Sequence, residues 1–391
     1  MKWMNLFIAV AVLVGVGFAS DARQAVFGGG GIFIPDVNDV VYIPSMAHSF
    51  GNCAQLELGT YAGDGVVPSG QWGLFNLGIG ENLAIGGALR RTDGQIFSRA
   101  DYFGYAAPNP GLNLWGAYNL GAARFGLGFY MASYSSKTTD DNSDTESKYS
   151  SHIYSFKLSS DFDIGDGGNF AVALGVDLNG LSNENTNASD QTYTDKMTGG
   201  TEISAMLRGF LPVRERTKVV PVVRFSTFSH SREITDYSGN TTKYGDYSEM
   251  NLFVGSGVNV SVMEDGLVSL GLGMLMTDTK DEMDTTNKTE DKTFVLPTLS
   301  LNTEIPLKPW LVARAGLTKN FGSVTHTEGG VETTTSFSET AGMFASIGAG
   351  VKFKGFNVDF TISDDDLFEG PWFISGHPCN AFKVSLGYNW E

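Results

Sequence analysis

The sequence predicts an all-β chain: a single transmembrane antiparallel β-barrel of about 14–16 strands with an N-terminal segment at or in its lumen. Three observations carry this. From roughly residue 54 to the end, large apolar side chains alternate with small or polar ones, the period at which a strand presents two unlike faces. The connections between these stretches are alternately short and long. After residue 22 no apolar run approaches the ~20 residues that a membrane helix needs, whereas a membrane strand needs only about 9–11.

The chain opens Met1-Lys2-Trp3-Met4-Asn5, continues uncharged from Leu6 to Val16, and then offers Gly17, Ala19, Ser20 and Ala22. A short positive end, a brief apolar core and small residues describe a secretory signal peptide over 1–19, with Gly17 and Ala19 at −3 and −1. Cleavage after Ala22 is the alternative. The expected organisation is signal peptide 1–19, an N-terminal hatch or periplasmic segment 20–53, and the barrel 54–391. The segment holds Phe27, Gly29, Gly30, Phe33, Pro35 and Asp36, and it is too apolar for a free tail. Its glycine run allows close packing inside a wide barrel. A hatch and a periplasmic arm both remain open.

Along the barrel, Phe125, Leu127, Phe129 and Met131 oppose Arg124, Gly126, Gly128 and Tyr130. Phe170 to Leu178 and Val268 to Met276 repeat the pattern, as do Met343 to Phe353 and Phe356 to Ile362. The last strand sets Phe382, Val384, Leu386, Tyr388 and Trp390 against Lys383, Ser385, Gly387 and Asn389. On this reading Leu174 faces lipid and Ala173 faces the lumen, where an arginine is expected to be tolerated. Stretches 55–61 and 70–79 are the weakest; counting them gives about sixteen strands and omitting them about fourteen. An even count puts both chain ends on the periplasmic side.

Short connections fall near Gly80, Gly121, Gly165, Pro212, Glu264, Pro306 and Gly355. Long polar ones fall near 92–111, 136–150, 180–198, 231–247, 278–292, 321–337 and 364–378. This is the outer-membrane arrangement, with short periplasmic turns and long outer loops. Rich in Asp, Glu, Thr, Asn and Ser, the long loops carry most of the acidic excess and are expected to be mobile. The inner wall is expected to carry both signs: Arg90, Arg124, Lys157, Arg208, Arg224, Arg314 and Lys352 against Asp161, Asp177, Glu202, Glu304 and Asp359. The loop with Phe368, Trp372 and Phe373 is unusually apolar. It is either a constriction or docking site at the mouth, or an interfacial anchor.

The net charge is −17 at pH 7, which excludes nucleic acid as a partner. The 49 Gly, 27 Phe and 14 Tyr suit close strand packing and the aromatic girdles of a barrel. The five histidines show no ligand spacing, so no metal is expected, and no nucleophile motif marks an enzyme. Acidic runs such as Asp364-Asp365-Asp366 lack the glycine pattern of calcium loops. No cofactor is implied. Cys53 and Cys379, at opposite ends of neighbouring strands, are not expected to pair.

The aromatic-ended last strand resembles the assembly signal of bacterial outer-membrane barrels, although Glu391 follows the aromatic. That resemblance implies the barrel-assembly machinery as a partner and outer-membrane lipid as the surroundings. Ala22-Arg23, Gly28 to Gly31, Asp36 or Asp39, and Pro44 resemble the N-terminal segment of the fatty-acid-transporter-like (FadL-like) and PorV-like outer-membrane barrels. Ile43-Pro44-Ser45 stands where those have Asn-Pro-Ala. The resemblance implies a lumenal hatch and passage of small solutes, apolar ones included. The PorV-like side implies instead a non-conducting binding or secretion-accessory barrel.

Overall fold

The computed structural model describes residues 21–62, 71–91, 107–140, 144–165, 167–282, 288–337, 343–362 and 380–390. The stretch 1–19 read as a signal peptide, the loop of Phe368, Trp372 and Phe373, the run 364–366 and Cys379 lie outside the described residues.

Among the described residues, seventeen strands make one antiparallel sheet. They are β1 (Asn52–Ala62), β2 (Trp72–Ile79), β3 (Leu83–Leu89), β4 (Gly111–Asn119), β5 (Ala123–Asp140), β6 (Thr145–Ile164), β7 (Gly168–Thr186), β8 (Thr192–Arg214) and β9 (Thr217–Thr235). There follow β10 (Thr241–Val262), β11 (Gly266–Asp281), β12 (Thr289–Lys308), β13 (Leu311–Glu328), β14 (Val331–Phe337), β15 (Met343–Phe353), β16 (Phe356–Ile362) and β17 (Asn380–Trp390). Each pairs with its sequence neighbour except that β15 pairs with β13 past β14, and β1 pairs with β17 to close the sheet, Asn52 opposite Trp390 and Leu56 opposite Leu386. The wall has sixteen strands. β14 is the extra one: it pairs with the outer half of β13, while β15 takes the inner half. The two weakest stretches are β1 and β2, so the count is sixteen and not fourteen.

The alternation read from the sequence sets the two faces. Leu127 is 66% exposed and Leu174 and Leu270 are each 55% exposed on the outside, whereas Ser269 and Asp359 are at most 1% exposed on the inside. Apolar outside and polar inside is stable only where the outside meets hydrocarbon. The short connections read near Gly80, Gly121, Gly165, Pro212, Glu264, Pro306 and Gly355 lie at one end, with both Asn52 and Trp390.

Several polar stretches at the other end, where they are described, depart from the mobile loops expected of them. β5 and β6 stay paired out to Asp140 opposite Thr145, β7 and β8 to Thr186 opposite Thr192, and β9 and β10 to Thr235 opposite Thr241. Strands of 16–23 residues from β5 to β13 are about twice what a bilayer crossing requires, so the excess projects as hairpins. Thr and Tyr are good strand formers, and composition alone hides this because the segments are hydrophilic on both faces. Cross-strand pairs fix their register: Lys137–Glu146 at 2.7 Å, Lys196–Glu233 at 2.7 Å, and the Thr325–Thr334 hydroxyls at 3.0 Å. The tips close on side-chain turns. Asn187 Oδ1 accepts the backbone N–H of Ser189 and Gln191, and Asp236 Oδ1 accepts those of Ser238 and Asn240.

Ahead of β1, helix α1 (Asp21–Phe27) is followed by 3-10 segments Gly28–Phe33, Val37–Val41 and Pro44–Phe50. Asp36 starts the second with a reciprocal cap: its carboxylate accepts the Asn38 N–H at 2.8 Å, and Asp39 accepts the Asp36 N–H at 2.8 Å. Pro44 opens the third, where a missing N–H costs nothing. Phe33, Val37, Val40, Ile43, Met46 and Ala47 join one buried cluster with Trp72, Trp115, Ala171, Ala173, Phe210 and Val220 of the wall. Inward-facing Gly126 and Gly316 leave the room: a Cβ there would collide with the backbone of Ser45 and of Val26.

Candidate functional site in the lumen

Backbone polar groups of a segment enclosed by a barrel need partners, and wall side chains supply them. Ser346 Oγ donates to Val26 O at 2.5 Å and Asn259 Nδ2 to Phe33 O at 2.8 Å. Asn76 Nδ2 donates to Ala47 O at 2.9 Å, and the Ser45 N–H donates to Ser159 Oγ at 2.8 Å. Trp115 Nε1 donates to Asn76 Oδ1 at 3.0 Å and so orients that amide.

Two sets of charges join segment to wall. On one side a chain of alternating sign runs Asp36, Arg23, Glu304, Arg314, Asp359. Arg23 Nε donates to Glu304 Oε2 at 2.6 Å, Arg314 Nε to the same oxygen at 2.7 Å, and an Arg314 terminal nitrogen to Asp359 Oδ1 at 2.6 Å. Asp36 stands 3.8 Å from Arg23. All five side chains are more than nine-tenths buried. On another side Arg208 forks onto Asp39, at 2.9 Å and 2.6 Å, and touches Met46 Sδ at 3.2 Å. Buried ion pairs add little net stability once desolvation is counted, but each tolerates only one arrangement, so together they fix where the segment sits.

A second cluster surrounds Tyr42, which is 38% exposed. The Arg91 guanidinium lies 5.4 Å from the ring centroid, the Lys157 ammonium 5.0 Å and the Arg224 guanidinium 5.7 Å. Arg91 also donates to the Tyr42 hydroxyl at 3.1 Å and lies over the Trp72 ring at 5.8 Å. Lys157 Nζ donates to Val41 O at 3.2 Å.

Of the other wall residues, Arg124 donates to Asp161 Oδ2 at 2.8 Å and also pairs with Asp163, and Asn169 donates to Asp161 Oδ1 at 2.8 Å. Asp177 and Glu202 are buried opposite one another on β7 and β8. Lys352 is half-buried opposite Asn357 near the short turns. Arg90 differs from its expected place. It follows β3 at φ 63° and is exposed, so the alternation breaks there and Arg91 is the residue that enters the lumen. In the segment Phe27, Phe33 and Asp36 are buried, and Gly30 abuts Ser300 and Asn302. Pro35 is exposed, its carbonyl accepting from Arg23 at 3.3 Å, and Gly29 lies in the first 3-10 segment.

Sequence reasoning missed Arg23, Asp39, Tyr42, Trp72 and Arg91 as contact residues. A signal existed for the first two: charges in so apolar a stretch need partners if the stretch is enclosed. None existed for Arg91, which stands next to a polar loop. Among the described residues no group of three or more His, Cys, Asp or Glu could hold a metal ion.

No family model matches the chain, and no curated protein matches its sequence. Among solved structures it is similar to the Pseudomonas putida toluene transporter TodX, at 9% identity over 90% of this chain and 94% of that one, with a TM-score of 0.39. It is similar to the Ralstonia pickettii toluene transporter TbuX, at 10% identity over 96% and 99%, TM-score 0.39. It is also similar to BauA, the ferric preacinetobactin receptor of Acinetobacter baumannii, at 11% identity over 80% and 61%, TM-score 0.37. The assignment of this chain as a closed transmembrane β-barrel rests on its own strand pairing and outward apolar belt.

Proposed function

We propose that the barrel passes small solutes across an outer membrane and that residues 21–50 act as a hatch in its path. The observation that carries the reading is the attachment of this segment by two sets of ion pairs, to Glu304 on one side of the wall and to Arg208 on another. Attachment through side chains alone, with no strand of the segment entering the sheet, lets the segment rearrange without opening the wall. The apolar belt and the closing β1–β17 seam do not depend on it. The resemblance of the segment implies that apolar solutes are among those passed.

The projecting hairpins favour a second reading, a non-conducting binding or secretion-accessory barrel whose crown receives a protein partner. One experiment separates the two. Full-length protein and a variant lacking Gln24 to Ser45, with the signal peptide kept, are reconstituted in planar bilayers. Passage through a hatch expects discrete open steps that grow well above those of the full-length protein on deletion. If the truncated barrel assembles and conducts identically, the segment is not a hatch; silence from both supports the accessory reading.

A further inference from the structure

We infer that the lumenal cluster of Arg91, Lys157 and Arg224 around Tyr42 is a binding subsite for a small, multiply charged oxyanion of the phosphate-ester type. The inference deepens the passage reading by naming a solute class, and its first test does not depend on conduction.

The three cations come from the end of β3, from β6 and from β9, and they converge on one ring contributed by the N-terminal segment. A ring quadrupole offsets only part of the charge brought to it, and Lys157 and Arg224 keep theirs beside it. Four other lumenal cations meet carboxylates: Arg23 and Arg314 on Glu304, Arg208 on Asp39, Arg124 on Asp161. Lys157 and Arg224 differ. Among the described residues neither has a carboxylate within ion-pair distance, and their cross-strand neighbours are Gly128 and Gly175 for Lys157, Met206 and Phe253 for Arg224. In a chain with 43 acidic and 26 basic residues, three cations gathered at one point run against the composition.

The cluster is also reachable. On the inward face of β9, Val222 and Ser226 are buried, yet Arg224 between them is exposed, and Tyr42 beside it is partly so. Guanidinium forks match pairs of oxyanion oxygens, and the lysine, held through Val41 O, adds a point charge. A phosphate monoester carries about −1.5 to −2 at neutral pH, which suits a site of several cations better than a single carboxylate does. Because the cluster faces the lumen, its ligand is a soluble anion and not the headgroup of a surrounding lipid.

Calorimetry on the full-length protein in detergent at low salt, with glycerol 3-phosphate, inorganic phosphate and glycerol as probes, tests this. Both phosphates should bind saturably and glycerol should not. Arg224→Met or Lys157→Met should each weaken binding by about tenfold or more, the scale of one charge-assisted hydrogen bond, while Arg224→Lys retains most of it. Binding of glycerol as strong as that of its phosphate, affinity unchanged in both Met variants, or no binding by the wild type would overturn the inference. Should the Met variants fail to assemble, the wild-type probe panel and Arg224→Lys still decide it. Bilayer currents then separate the two proposals: binding without conduction leaves the site standing and removes passage, and conduction without binding does the reverse.

Discussion

Replacing Leu174 by arginine puts a cation where the structure places lipid. Leu174 is 55% exposed on the outer face of β7, which starts at Gly168 beside a short turn. Six residues at about 3.3 Å each make about 20 Å of strand, and a tilt of about 40° reduces this to a height of about 15 Å. The apolar band of such barrels is about 25 Å tall, so the guanidinium enters close to its midplane, where the cost is roughly 2–4 kcal/mol. That corresponds to a folding equilibrium lowered by about 30- to 900-fold. Folding into lipid vesicles across a urea series, read by heat-modifiable gel mobility, measures it. Ala173→Arg is the control one residue away. Ala173 faces inward as the alternation requires, but it is 4% exposed within the cluster that the N-terminal segment forms with the wall. The tolerance expected from the sequence is therefore corrected: this arginine should leave insertion into lipid intact and displace the segment instead, seen as raised protease sensitivity of residues 21–50. Equal loss of membrane folding in both variants, or none in Leu174→Arg, would refute the face assignment.

Two further outcomes are expected. Arg23→Met leaves Asp36 buried beside nothing of opposite sign in that chain, while Arg314 stays on Glu304, so the segment should lose about 3 kcal/mol of seating, the low end for a broken buried pair. Limited proteolysis of the segment, with circular dichroism of the wall unchanged, reads this, and a double-mutant cycle with Glu304→Gln should show strong coupling; additive effects would sink the latch. Where β12 and β13 project beyond the membrane at the end away from their turn, the hydrogen bond and charge of Asp291, 2.6 Å from His326 Nδ1, raise the imidazole above its ordinary range. A raised folded value means that this contact contributes fully below the unfolded pKa and is lost as pH rises through the folded one. Histidine NMR should show a raised midpoint that returns to the ordinary range in Asp291→Asn, and an unshifted His326 in the wild type would contradict the contact.

The strand alternation alone determined which residues of β5, β7, β11, β15, β16 and β17 face lipid, because a period of two leaves one choice of face once one side must be apolar. Loop lengths alone sorted the two ends of the barrel, since short turns and long connections leave different composition. Single inward charges such as Glu304, Arg314 and Asp359 were legible for the same reason, as polar residues in phase with the small ones. What met them was not. Arg23 lies 281 positions from Glu304, and Asp39 lies 169 from Arg208, distances over which no local pattern reports contact. The alternation pointed to Arg90, and only the positive φ at Arg90, which breaks the alternation, puts Arg91 in the lumen instead. The hairpin extensions were hidden because with water on both faces Thr, Ser and Lys can pair without any apolar rhythm, leaving register to cross-strand partners. The gathering of Arg91, Lys157 and Arg224 on Tyr42 belongs wholly to the tertiary structure: closing the barrel around the segment brings three separate stretches of wall to the one ring the segment carries, and only closure sets their distances.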